Sequence, residues 1–259
     1  MNRWQSTRAL GLRTRGDMAR RTRRIVGWTA LLLGVLMVIA AAAPILRLFG
    51  TSPYLIYRPQ HQRIPLAAVM LSGDIGFRGG MSAPVAAALA DRGMTVVGVS
   101  SPVVFAFHHT QAEAVAVVQQ AIRSAMRISG ADKVVLVGQS YGGDIVATTA
   151  PHLGANLLAH VAAIDLLVPG RNVYFRADPT GLAYYFTPDA HPAAALRALK
   201  GPPLACIYGI EETDSLCPLM GGAARVMALP GNHHLNHDHV ALVKAAMSAL
   251  HQMVPIIRS

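Results

Sequence analysis

The chain has 259 residues, 53% of them hydrophobic and 14% charged, which supplies one domain with a full core and excludes extended disorder. A formal net charge of +10 suggests a nucleic-acid binder only until its distribution is read. Eight of the 23 basic residues (Arg3, Arg8, Arg13, Arg15, Arg20, Arg21, Arg23 and Arg24) precede residue 25, against the single acid Asp17. The other 15 basic and 12 acidic side chains nearly balance, so the excess is a tail that signals topology, and no nucleic-acid partner is expected.

That tail runs into residues 25–43, an apolar stretch without a charge. As a helix it spans about 28 Å, close to the hydrocarbon core of a bilayer. The arginines before it should stay in the cytoplasm and place the remainder on the far side. A cleaved signal peptide is the rival reading, because Ala41-Ala42-Ala43 resembles a processing site. Pro44 would follow that cut, however, and the apolar run exceeds the roughly 7–15 residues of a signal core. The expected order is a cytoplasmic tail over 1–24, a transmembrane anchor over 25–48 and a periplasmic domain over 49–259, held at the inner membrane.

Residues 51–60 read as a linker or edge strand, with 54–57 pairing weakly. From residue 66, short apolar runs alternate with helical stretches. Residues 66–71, 95–99, 133–137, 161–167, 204–208 and 225–229 read as buried parallel strands. Helices are expected over 82–91, over 110–128, after Ser140 and over 238–253. The second opens with the capping box Thr110-Gln-Ala-Glu113 and closes at Gly130, and Ala112, Val115, Gln119, Ile122 and Met126 mark one face of it. This alternation specifies an α/β fold: a mostly parallel, doubly wound sheet with helices on both faces and its ligand site at the carboxyl ends of the strands. Residues 169–203, with Tyr174, Phe175, Tyr184, Tyr185 and Phe186, are the expected small apolar cap.

Gly138-Gln-Ser140-Tyr-Gly142 has the spacing of a nucleophile elbow. The pattern is short, and its weight comes from context: KVVLVG enters it as a strand and GGDIVATTA leaves it as a helix. A serine hydroxyl needs a base and an orienting acid, which in the α/β-hydrolase fold follow in the order acid, then histidine. The strand over 204–208 leads into Gly209-Ile-Glu-Glu-Thr-Asp214, and that over 225–229 into Pro230-Gly-Asn-His-His234. Asp214 is the expected acid, with Glu211 and Glu212 as alternatives. His233 is the expected base, with His234 as the alternative. The oxyanion hole is assigned to the backbone N–H groups of Tyr141 and Asp74, with the Asp74 carboxylate turned away or holding its loop.

His233, His234, His237 and His239 also invite a metal reading, but no second ligand cluster accompanies them, so no metal and no cofactor are expected. His108 and His109 are read as rim or surface residues. Cys206 and Cys217 are the only cysteines, and on the oxidising side of a membrane they are expected to form a disulfide around the acid loop. Free buried thiols are the plainer alternative.

With these segments in place, the chain resembles the VirJ/AcvB family of bacterial envelope proteins over residues 60–255. The matching stretches are SGDIGF (72–77), VVGVSS (96–101), VVLVGQSYGGD (134–144), CIYGIEETDSLCP (206–218) and LPGNHH (229–234). The resemblance implies a periplasmic hydrolase acting on aminoacyl-phosphatidylglycerol, with a membrane phospholipid as its substrate and lysine or alanine as the group removed. The residues by themselves lead to an ester hydrolase held at a membrane. Glu211 and Glu212 are expected to attract the α-ammonium of an aminoacyl ester. Two other readings use the same features: a general periplasmic esterase, lipase or thioesterase, and a non-catalytic envelope assembly factor with an idle elbow.

Overall fold

The computed structural model describes residues 15–42 and 50–257. Arg3, Arg8 and Arg13 of the expected tail, and residues 43–48 of the expected anchor with Pro44, lie outside them.

Helix α1 (Arg15–Ala42) is continuous over 28 residues. Its segment Arg20–Ile39 is long and apolar enough to cross a membrane, and none of it is buried within the protein. Trp28, Leu33 and Val38 are all exposed, a surface suited to lipid and costly in water. The chain divides into two compact units, one up to Ala40 and one from Ala41 onward.

The larger unit is built on one seven-stranded sheet in the order β1-β3-β2-β4-β5-β6-β7. Its strands are β1 (Tyr54–Tyr57), β2 (Ala67–Leu71), β3 (Thr95–Val99), β4 (Val134–Gln139), β5 (Val161–Leu167), β6 (Leu204–Gly209) and β7 (Arg225–Leu229). Strands β2 to β7 run parallel, and β1 closes one edge antiparallel to β3. The winding direction reverses between β2 and β4, which opens a crevice at their carboxyl ends.

Side chains alternate across the pleat. Ala67, Val69 and Leu71 of β2 and Val134 and Leu136 of β4 join a core under α4 (Gln111–Ser129) and α5 (Tyr141–Thr149). Ala68, Met70, Val135 and Val137 join a second core under α2 (Ser82–Asp91) and α8 (His239–Met253). The short helices α3 (Ser101–Val104), α6 (Ala155–Leu158) and α7 (Ala193–Ala198) complete the connections.

The helix signals operate as their chemistry requires. Both halves of the Thr110–Glu113 capping box form, and Gly130 ends α4 in the left-handed region at φ 76°. The carboxylate of Asp238 accepts from Ala241 N at 2.8 Å and caps α8. Two expectations are corrected. The buried stripe of α4 is Ala114, Val118, Ala121, Ile122 and Ala125, shifted around the helix from the face marked in the sequence, of which only Ile122 is shared. Strand β7 is largely exposed, because it is the sheet edge and no strand lies beyond it.

Candidate active site

Strand β4 delivers Ser140 into a turn that only a strained backbone can make: φ 52° and ψ −123° at a residue with a side chain. Ser140 N donates to Leu167 O at 2.8 Å, and Asp144 N donates back to Ser140 O at 3.0 Å as α5 begins. The flanking glycines are needed for clearance. A Cβ on Gly138 would lie 2.3 Å from Gly142 O, and one on Gly142 would lie 2.3 Å from Leu71 O. Strand, elbow and helix therefore touch backbone to backbone, which holds the hydroxyl out at the strand end.

Ser140 Oγ lies 2.8 Å from His233 Nε2, and His233 Nδ1 lies 2.5 Å from Glu212 Oε1. With the proton on Nδ1, the ring donates to Glu212 and accepts from the serine hydroxyl, as a general base must. His233 is thus the histidine that reaches the serine. His234 is exposed and stacks on His237, with ring centroids 5.7 Å apart.

The acid differs from the expected one. Ile210 N donates to Leu229 O, Glu211 N to Gly231 O, and Glu212 N turns back onto Gly209 O. A Cβ on Gly209 would lie 2.1 Å from Asn232 O, so the loops after β6 and β7 run in direct contact. The tight turn brings Glu212 against His233 and leaves only 8% of its side chain exposed. Asp214 lies two residues past the turn with its side chain 73% exposed, and its carboxylate accepts from Arg171 Nη2 at 2.6 Å. Asp214 is therefore not the partner of the histidine. Glu212 occupies that position, which also removes it from the role of free ammonium attractant, while Glu211 is exposed at the rim.

Opposite the elbow, the loop after β2 approaches closely enough that a Cβ on Gly73 would lie 3.4 Å from Ser140 Cβ. Gly73 N donates to Ser82 Oγ, and Ser82 Oγ donates to Gln139 Oε1 at 2.7 Å. This buried bridge pins the loop to the residue before the nucleophile, and nothing in the sequence pattern had singled out Ser82 or Gln139. The Asp74 carboxylate accepts from Tyr184 Oη at 2.6 Å and from Asp178 N at 3.0 Å, both at Oδ1, and so holds the cap. Burial raises its pKa, an effect that those two hydrogen bonds partly offset.

The cap covers part of a cavity of about 700 Å³ that contains Ser140 and His233. Tyr174 and Phe175 are buried, Tyr174 Oη donates to Tyr184 O and Phe186 O, and Tyr185 and Phe186 project into solvent. A second hollow of about 630 Å³, beside α2 and α8, is lined by Arg92, His239, Lys244 and Ser248 among apolar side chains and includes neither Ser140 nor His233. His108 is at the surface, paired with Asp189 at 3.0 Å. Among the described residues, no group of three His, Cys, Asp or Glu side chains is placed to hold a metal ion. Cys206 and Cys217 form a disulfide with Cα atoms 5.3 Å apart, closing the segment that carries Glu212.

Comparison with known proteins accords with this geometry. No curated protein sequence matches the chain. Among solved structures it is similar to Est1E from Butyrivibrio proteoclasticus, with 12% identity and a TM-score of 0.56 over 78% of this chain and 94% of that one. It is also similar to an alpha-beta serine hydrolase homologue from Coxiella burnetii, with 14% identity and a TM-score of 0.58 over 76% and 90% of the two chains. A putative dienelactone hydrolase from Klebsiella pneumoniae subsp. pneumoniae matches with 16% identity and a TM-score of 0.53, over 79% and 91%. At such identities the likeness is one of fold, and the fold is that of the α/β-hydrolases. The family model for the bacterial virulence protein VirJ matches residues 66–254, a span that contains the whole sheet from β2 onward, the elbow and both site loops, and the chain belongs to the VirJ family.

Proposed function

We propose that this protein is a membrane-anchored serine hydrolase that cleaves the aminoacyl ester of aminoacyl-phosphatidylglycerol on the periplasmic side of the inner membrane. The observation that carries the reading is the continuous Ser140–His233–Glu212 relay at a cavity whose other charges are mostly carboxylates. Such a cavity favours a cationic acyl group over a fatty one. The apolar helix within α1 supports a substrate held in the same membrane, because tethering raises the effective concentration of site and lipid.

In this mechanism His233 takes the Ser140 proton as Oγ attacks the aminoacyl carbonyl. The oxyanion develops between Tyr141 N–H and Asp74 N–H. The imidazolium is held by Glu212 and protonates the departing glycerol oxygen. Water then repeats the sequence on the acyl-serine and releases the free amino acid.

The test is direct. The full-length protein in detergent is mixed with vesicles containing lysyl- or alanyl-phosphatidylglycerol, and released amino acid is measured. Release that Ser140→Ala abolishes, by about 10⁶ in turnover, is the expected result. Rapid hydrolysis of short fatty acyl esters with no release from either lipid would replace this reading with a general esterase.

A further inference from the structure

Most charged side chains lining the cavity beside Ser140 are already committed. Glu212 holds His233, and Asp214 pairs with Arg171. Asp178 accepts from Thr180 N, Thr180 Oγ1 and Ala183 N, and Asp74 accepts from Tyr184 Oη and Asp178 N. Asp74 and Asp144 each keep one carboxyl oxygen without a protein partner, and Asp144 stands on α5 four residues after Ser140. Asp144 lines the cavity and accepts one hydrogen bond, from Gly170 N to Oδ1 at 2.7 Å, which leaves Oδ2 without a partner.

A second group beside it is also unsatisfied. Tyr141 lines the same cavity, is 1% exposed, and its hydroxyl has no hydrogen-bond partner. Tyr141 and Asp144 stand three residues apart on α5 and so share one side of the helix. The phenol lies within electrostatic reach of both Asp74 and Asp144. A buried hydroxyl is nearly always hydrogen-bonded, so an idle phenol on the same side of α5 as a carboxylate that lines the cavity marks a place where a ligand group is missing. An anion would be repelled by the carboxylates. A neutral alkyl group would leave both oxygens unpaired, at the cost of their desolvation. An ammonium has three N–H donors and a positive charge, and satisfies both.

The position relative to the nucleophile fits. Ser140 caps α5 and Asp144 lies four residues on, a rise of about 6 Å. We propose that the Asp144 carboxylate and the Tyr141 hydroxyl together bind the α-ammonium of the acyl group that is being removed, and so select aminoacyl esters over simple acyl esters. The inference deepens the proposed function and rests on it. Burial raises the pKa of Asp144 well above that of an ordinary carboxyl. A bound cation opposes that shift and favours the charged form.

The experiment compares kcat/KM for the glycerol monoesters of alanine and of propionic acid, which differ only in the ammonium. The full-length protein in detergent should favour the alanyl ester, and Asp144→Asn should lower that ratio by about 10- to 100-fold, the range of one hydrogen bond to a charged group. Asparagine keeps an oxygen for Gly170 N. Tyr141→Phe keeps the backbone N–H and removes only the idle hydroxyl. It should lower the ratio severalfold, and it decides the matter if the Asp144 variant does not fold. A wild-type ratio near one overturns the aminoacyl reading and this inference with it. A high wild-type ratio that both variants retain overturns the inference alone, including the case in which both esters slow equally because Asp144 merely braces Gly170.

Discussion

Glu212 and Asp214 are separated by one residue, yet they occupy different electrostatic environments. Glu212 is enclosed, bonded to His233 through Oε1, and its Oε2 is buried without a partner. Asp214 holds Arg171 in solvent, where such a pair contributes roughly 0–1 kcal/mol. Glu212→Gln should therefore reduce kcat by about 10³–10⁴, because the amide no longer stabilises the imidazolium or its tautomer. Asp214→Asn should stay within a few-fold of the parent in both kcat and melting temperature. Steady-state kinetics with any accepted ester checks both, and the reverse order would return the acid role to Asp214. The nucleophile and the histidine were legible in the sequence because each closes a strand with a recognisable turn. The acid was legible only as one of three carboxylates, since the choice depends on how the Gly209–Glu212 turn folds against the loop after β7.

At the scale of elements, that acid loop is braced from both ends. Cys206 lies inside β6 between β5 and β7, Cys217 follows the loop, and both are fully buried. Closing a segment of eleven residues removes about 3 kcal/mol of conformational freedom from the unfolded chain. The double variant Cys206→Ala/Cys217→Ala should melt about 6–12 °C lower. It should also lose part of its kcat, because Glu212 lies within the released segment. Calorimetry and kinetics on the same preparation read both, and an unchanged melting temperature would show that the two hydrogen bonds from the acid loop to the β7 side suffice. This pairing was predictable from the cysteine count and the compartment expected from the sequence, as α4 was from its capping box. The rotation of α4 was not, because larger side chains marked the face read from the sequence. The helix buries Ala114, Ala121 and Ala125 beside Val118 and Ile122, small residues that allow its axis to approach the sheet, while Met126 packs at its flank.

For the molecule as a whole, the strand–helix alternation specified the sheet, but one feature of its centre departs from every pattern that made it legible. Asp165 stands in the middle of β5, opposite Val137 and Ala205, at a position where apolar residues are the rule. Like Ala163 and Leu167 it points to the face covered by α2 and α8, where it is fully buried and neither carboxyl oxygen has a partner. Burial pushes its pKa from 3.8 up to about 8. The folded chain therefore holds a proton that the unfolded chain gives up above pH 3.8, so stability falls as pH rises between the two values and levels off above about 8. The slope from this one group approaches 1.4 kcal/mol per pH unit, several kcal/mol across the window. Urea denaturation of the full-length protein in detergent at pH 5 and pH 8 should show this loss. Asp165→Asn, which carries no titrating proton, should be little changed at pH 5 and clearly more stable than the parent at pH 8. Equal sensitivity to pH in parent and variant would mean that Asp165 is ionised and satisfied by a group it does not touch in this conformation.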